Sequence, residues 1–254
     1  MPAFRLEIGA GVARVTLDRP PANALDDGSM VELCALAGRL ESPDVRAVVL
    51  TGTGRFFSAG LDLFDLLTYP DDRALAFANA FDDAMARWFA LERPAVAAIN
   101  GHAIAGGAVL AAAADFRLVA DGPLKMGLSE ILVGVPFPTS ALEIVRSSCA
   151  GPHLGELLYR GQSYGPADAA ARRLADEVVP AADLLDRATA LAAELGGHRV
   201  EALLPTKRRL RAEPLARMRA ARAGGLDPAW QQWRTPETRA AMEAFRSRAV
   251  GRKG

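Results

Sequence analysis

Hydrophobic and polar residues alternate over residues 4–8 and 12–17, on either side of Gly9-Ala10-Gly11. A period of two broken by glycines predicts a β-hairpin. Beyond it the period lengthens: Met30, Leu33, Ala37 and Leu40 recur at three- and four-residue spacing behind Asp26. That spacing marks an amphipathic helix with Asp26 as its N-cap. Residues 45–50 form a nearly unbroken apolar run ending in Thr51-Gly52-Thr53-Gly54, as expected of a strand buried on both faces. The alternation continues with a helix over 72–91, a strand over 95–99, a Gly-rich turn and a helix over 106–114. Further strands are expected at 116–120 and 177–179. Strands alternating with helices predict an α/β fold with parallel pairing. From Leu185 onward the pattern is entirely helical, and Pro205, Pro214, Pro228 and Pro236 divide it into helices near 186–196, 200–212, 214–223 and 236–249. The chain therefore reads as an α/β core over 1–195 and an all-helical segment over 196–254. No fixed-period repeat is visible.

Composition narrows the function. The chain has 254 residues, half of them hydrophobic, enough for a large core and too apolar for a disordered chain. Thirty basic residues balance thirty acidic ones, which argues against nucleic acid or an anionic membrane as the main partner. Two cysteines, Cys34 and Cys149, cannot make a disulfide framework, so a cytoplasmic protein is expected. The opening residues lack the basic-then-apolar order of a secretory leader. Residues 95–114 carry no formal charge over a length that could span a bilayer, but Asn100, Gly101, His102, Gly106 and Gly107 interrupt them. A buried strand, a turn and a buried helix account for this run better. The three histidines fall in no spacing that suggests a metal site.

Three segments hold the candidate chemistry. Arg55-Phe56-Phe57-Ser58-Ala59-Gly60-Leu61-Asp62-Leu63 and Asn100-Gly101-His102-Ala103-Ile104-Ala105-Gly106-Gly107-Ala108 each follow an expected strand and lead into a helix, where α/β sheets place ligands. Neither matches the glycine patterns of nucleotide-phosphate loops. Each alone could be an ordinary tight turn. In the third, Met126-Gly127-Leu128-Ser129-Glu130-Ile131-Leu132-Val133-Gly134-Val135-Pro136, a lone carboxylate sits in apolar surroundings. Glu130 is there either as a solvated helix-start residue or as a desolvated base with a raised pKa.

In this order the three segments resemble the crotonase (enoyl-CoA hydratase/isomerase) superfamily. Thr16-Leu17-Asp18-Arg19-Pro20, Asn23-Ala24-Leu25 and the stretch from Pro94 to Gly107 add to the likeness, which covers nearly the whole chain. The resemblance implies a spiral of ββα turns with a C-terminal helical region and assembly as a homotrimer or a dimer of trimers. It implies an acyl-CoA thioester as substrate and no separate cofactor, coenzyme A being part of the substrate. By position it makes Glu130 the catalytic acid/base and the Ala59 and Gly106 N–H groups the oxyanion hole. Ala24, Leu25, Ser58, Gly60, Leu61, Asp62, Gly107, Val109 and Gly134 become substrate contacts. The physics agrees for Gly106, whose N–H at a helix start favours negative charge.

The hydratases of this family use two glutamates, and where the first would stand, three residues after Gly106, this chain has Val109. On a helix Val109 should share the face of Gly106. Valine cannot activate water, so the preferred reading is an isomerase that moves a double bond from C3–C4 to C2–C3 with Glu130 alone. A hydratase is the alternative, and a non-catalytic acyl-CoA-binding protein the alternative of another class. The remaining candidates have plainer expectations: His102 as a packing or capping residue, Asp62 as a helix cap, Glu143 as a surface residue. Residues 207–222 hold seven basic residues against one acid, Glu213. A solvated face or subunit contact is expected there, ahead of a clamp for coenzyme A phosphates or an RNA-binding helix.

Overall fold

The computed structural model describes residues 2–149 and 151–251. Strands β1 (Phe4–Gly9) and β2 (Val12–Leu17) form the expected hairpin, closed at Ala10 and Gly11, both at positive φ. A two-residue connection with two positive φ values matches the twist of the flanking strands. Helix α1 (Asp27–Arg39) starts at Asp26, whose carboxylate accepts the Ser29 N–H while Ser29 Oγ accepts the Asp26 N–H. This reciprocal cap fixes where the helix begins.

The chain then repeats one unit: a strand in a large sheet, a short strand in a second sheet, then helix. The first turn is β3 (Ala47–Gly52), β4 (Phe56–Ser58), α2 (Leu63–Leu66) and α3 (Asp71–Phe89). The second is β5 (Ala95–Ile99), β6 (His102–Ile104) and α4 (Gly106–Ala112). The third is β7 (Phe116–Ala120), β8 (Met126–Gly127) and α5 (Glu130–Val133). Helices α6 (Thr139–Ser148), α7 (Leu154–Arg160) and α8 (Pro166–Ala171) follow, with β9 (Ser163–Tyr164) and β10 (Glu177–Val179) completing the sheets. The large sheet has the order β1-β2-β3-β5-β7-β10, parallel from β2 onward, and the small one β4-β6-β8-β9. This is the mixed α/β architecture with parallel sheets that the sequence predicts.

Helix α3 buries Phe77, Phe81, Met85, Trp88 and Phe89, packing mainly on α1 and also on the later helices of the chain. Their spacing by about four residues puts them on one face, a single apolar stripe. The rest is helical: α9 (Leu184–Gly196), α10 (Val200–Ala223), α11 (Pro228–Trp233) and α12 (Pro236–Gly251). Two differences from the sequence reading stand out here. The helices expected over 200–212 and 214–223 are one, α10, with Pro205 and Pro214 inside it. The carbonyls left without an N–H partner belong to Glu201 and Leu210, both on the exposed side, where water can take the place of the lost bonds. Helix α11 was not expected at all. No helix among the described residues is long and apolar enough to cross a membrane.

Candidate active site

The two glycine loops meet backbone to backbone. A Cβ on Gly107 would lie 2.3 Å from the Ser58 carbonyl oxygen, and one on Gly60 would lie 2.7 Å from the Ile104 oxygen and 2.9 Å from the Gly106 nitrogen. Gly60 also has φ +84°. Only glycine fits at either position. Between them Ala105 sits at φ 49°, ψ −123°, a region that a side chain disfavours by about 1–3 kcal/mol. That strained residue turns β6 into α4 and so fixes where the Gly106 amide points.

A polar frame behind the loops holds them. Ser58 Oγ donates to the Asn23 carbonyl at 2.7 Å and accepts the Gly60 N–H at 3.2 Å. The Asn23 amide donates to the Thr53 and Phe56 carbonyls, and its Oδ1 accepts the Arg19 N–H. The Arg19 guanidinium pairs with Asp26 and Asp62 at 3.0 Å each. Asp62 also caps α2 through the Asp65 N–H, the capping role expected of it. Sequence reasoning noted Arg19 and Asn23 only as parts of a likeness; their work shows only when residues 19–26 fold against 53–62.

Which amides are free follows from the pairing of Leu25 with Leu61. The Leu25 N–H donates to the Gly60 carbonyl at 2.8 Å and the Asp62 N–H donates to the Leu25 carbonyl at 2.9 Å. Successive peptide groups of an extended segment point to opposite sides, so the Leu61 N–H faces away from Leu25. Its nitrogen lies beside Gly106, whose Cβ would be 3.6 Å away. Gly106 opens α4, and the first N–H groups of a helix have no intrahelical acceptor. Among the described residues neither the Leu61 nor the Gly106 N–H has an acceptor. The Ala59 N–H, by contrast, donates to the Ala22 carbonyl at 3.0 Å. Of the two expected donors, the Gly106 N–H is therefore free and the Ala59 N–H is not; the free amide beside Gly106 is that of Leu61.

Glu130 is the first residue of α5 and is 7% exposed. Its Oε2 is one of three buried side-chain polar atoms without a partner among the described residues, and the only oxygen of the three. Burial pushes its carboxyl up to about 8, opposed only by its own backbone N–H. It faces a cavity of about 100 Å³ whose wall also includes Ala59, Leu61, Gly106, Phe81, Trp230 and Trp233. Trp230 and Trp233 come from the unexpected helix α11. A larger groove, about 680 Å³, lies between α10 and the amino ends of β5 and β7 and contains none of the loop residues. It is the wrong place for this chemistry despite its size, because its acid, Asp115, is already paired with Lys207 and Arg211.

The predicted site residues thus separate. Ala59, Leu61, Gly106 and Glu130 line the cavity, while Ala24, Leu25, Ser58, Gly60, Asp62 and Gly107 form or brace the loops. The remaining two do neither. Val109 is wholly buried in α4 and does not line the cavity, contrary to the expectation from helical spacing; the turn of α4 carries it into the core. Gly134 closes α5 at φ 88°, where a Cβ would press on Ala241 of α12. His102 packs on Phe56 and its Nδ1 accepts the Lys125 N–H, the packing role expected of it.

One further expectation is corrected. Glu143 is buried, not at the surface, between Arg146 at 3.0 Å and Arg217 at 2.6 Å. The basic run is largely a solvated face, as expected, with Arg208, Arg209, Arg219 and Arg222 exposed, but most of its charge is matched within the chain. Lys207, Arg208, Arg211, Arg217 and Arg222 each pair with a carboxylate of this chain.

Residues 7–245 match the sequence family described as enoyl-CoA hydratase/isomerase. The probable enoyl-CoA hydratase EchA17 of Mycobacterium tuberculosis is 37% identical over 186 residues, 72% of this chain and 70% of that protein. Human mitochondrial Δ3,Δ2-enoyl-CoA isomerase superposes with a TM-score of 0.94 at 25% identity, over 99% of this chain and 100% of that one. The probable enoyl-CoA hydratase EchA3 of M. tuberculosis gives 0.81 at 28% identity, over 87% and 94%. With two glycine loops clasped over a buried lone glutamate and a family match across nearly its whole length, the chain is a member of the enoyl-CoA hydratase/isomerase family, the crotonase superfamily.

Proposed function

We propose that the protein isomerises 3-enoyl-CoA thioesters to 2-enoyl-CoA, with Glu130 as its only acid/base. One observation carries this reading: Glu130 is the one ionisable side chain among the residues lining the cavity. The thioester oxygen accepts the Leu61 and Gly106 N–H groups. Ionised Glu130 takes a proton from C2, and the electron pair delocalises over the thioester and the C3–C4 double bond. The two amides hold the charge that collects on oxygen, a contribution of about 3–4 kcal/mol per donor. Protonated Glu130 then returns its proton to C4, leaving the double bond at C2–C3. A base that must later act as an acid works best with a pKa near the operating pH, and burial gives Glu130 one of about 8.

Hydration is the second reading, favoured by the names of the curated relatives. It needs a second group to activate water at C3, and among the described residues neither Val109 nor any residue of the cavity wall besides Glu130 supplies an acid or base. Assay with trans-3- and trans-2-enoyl-CoA separates the two. Isomerisation without appreciable hydration is expected; fast hydration with negligible isomerisation overturns the proposal. Binding of acyl-CoA with no turnover of either substrate makes the protein a binder instead.

A further inference from the structure

We infer that Trp230 and Trp233 of α11 close the acyl end of the cavity and restrict the enzyme to short acyl chains. The inference rests on the reading that this cavity receives the acyl group of a coenzyme A thioester. Exposure is graded along the cavity. Ala59, Leu61 and Ile104, beside the free amides, are partly exposed, whereas Phe81, Trp230 and Trp233 are buried. An acyl chain anchored at the amides therefore grows from the loops toward the tryptophans.

The end wall is rigid. The Trp230 and Trp233 rings lie 4.8 Å apart, and Trp230 also meets Phe77 and Phe81 edge-on. Each indole N–H is anchored away from the cavity, Trp230 to Asp82 at 3.0 Å and Trp233 to the Pro136 carbonyl at 2.9 Å. Asp82 in turn accepts Ser140 Oγ at 2.5 Å, so the anchor itself is held from α6. A tryptophan with its polar edge bonded and its faces packed cannot swing aside without leaving a buried N–H unpaired. The space between the amides and this wall is about 100 Å³, well below the roughly 300–1,000 Å³ of a pocket that takes in a drug-sized ligand, so it suits a short chain. A longer chain meets the indoles.

Calorimetric titration with butyryl-, hexanoyl- and decanoyl-CoA, together with kcat/KM for the matching 3-enoyl-CoAs, tests this. The wild type should bind and turn over the six-carbon compound at least tenfold better than the ten-carbon one. Trp233→Ala should raise the decanoyl-to-hexanoyl ratio at least tenfold. Ala141→Leu, which narrows the same wall, should shift preference toward butyryl. Equal or better use of the ten-carbon compound by the wild type overturns the inference whatever the variants do. So does an unchanged ratio in a Trp233→Ala protein that melts cooperatively. Length-selective binding without isomerisation defeats the proposed reaction and leaves the inference standing, whereas isomerisation indifferent to length does the reverse.

Discussion

Two carboxylates at opposite ends of this molecule are withdrawn from water, and only one is compensated. Asp115, at the amino end of β7, has Arg211 at 2.6 Å on one oxygen, and Lys207 at 2.7 Å and the Ala95 N–H at 2.8 Å on the other. Arg211 lies over the Phe89 ring and donates to the Phe89 carbonyl, while Lys207 donates to the Arg93 carbonyl. Every charged group there has partners, and the cluster ties α10 to the sheet. Among the described residues Glu130 has no cation within ion-pair distance and one oxygen without a partner. Burying a charge is tolerated where partners replace the lost water, and where they are missing the group resists ionising. The cluster serves the fold. The solitary glutamate is a cost to the fold, as a group kept for the proposed chemistry would be.

The largest effect should come from removing that cost. Glu130→Gln should lower isomerase kcat/KM by about 10³–10⁴-fold, since one group both takes and returns the proton. In stability the sign is opposite. The Glu130 carboxyl is held near 8 in the fold and titrates near 4.5 when unfolded. Between those values the folded state binds the extra proton, so wild-type stability falls as pH rises from about 4.5 to 8 and then levels off. The loss amounts to roughly 4–5 kcal/mol at 1.36 kcal/mol per unit. Urea unfolding should show Glu130→Gln gaining on the wild type over this window, with no gain below pH 4.5. A flat difference would mean that Glu130 is solvated. In the wild type kcat/KM should rise about tenfold per pH unit and plateau above about pH 8, because the free enzyme must be ionised to act.

At the compensated end the same operation has the reverse outcome. Asp115→Ala leaves two buried cations without their carboxylate and should destabilise the protein by about 3–5 kcal/mol, read from urea midpoints, while the pH midpoint of kcat/KM stays where it was. Between the two ends, Gly60→Ala tests the clasp. Its Cβ collides with backbone of the second loop, so kcat should drop about 10²–10³-fold, the effect of displacing an oxyanion donor. A fully active, normally folded Gly60→Ala protein would mean that the two amides do not act as a pair.

The fold was legible where apolar runs are long and bounded. The strands expected over 95–99, 116–120 and 177–179 coincide with β5, β7 and β10, and the Asp26 cap begins α1. The small sheet was not legible, because β4, β6, β8 and β9 are two or three residues long, too short to show any period. Helix α11 did carry a signal, an Asp227 cap followed by Pro228 at the first helical position, but six residues give no periodicity to support it. That Glu130 and Gly106 would meet at one cavity could be read from their positions. That the free amide beside Gly106 is that of Leu61 could not, since the choice between two amides two residues apart depends on Leu25 pairing with Gly60 and Asp62 from a distant segment. Glu143 was misread for a similar reason: on α6 it reads as a polar helix position, and its partner Arg217 lies 74 residues away.

The smallest expected effect concerns the basic run, where the contrast between paired and unpaired charge recurs on one helix. Arg209 and Arg219 are exposed and have no carboxylate within ion-pair distance among the described residues, unlike the other five. Substituting both with Gln removes solvated charges only, and the stability change should stay within about 0.5 kcal/mol. The same double variant decides what the run does. If these arginines gripped the phosphates of coenzyme A, its affinity would fall in the variant, and the wild type would bind more weakly as salt rises, because exposed pairs are screened over about 8–10 Å. Titration of hexanoyl-CoA at low and high salt should instead give matching affinities for both proteins. The cations of α10 that matter would then be the ones already committed to carboxylates of their own chain.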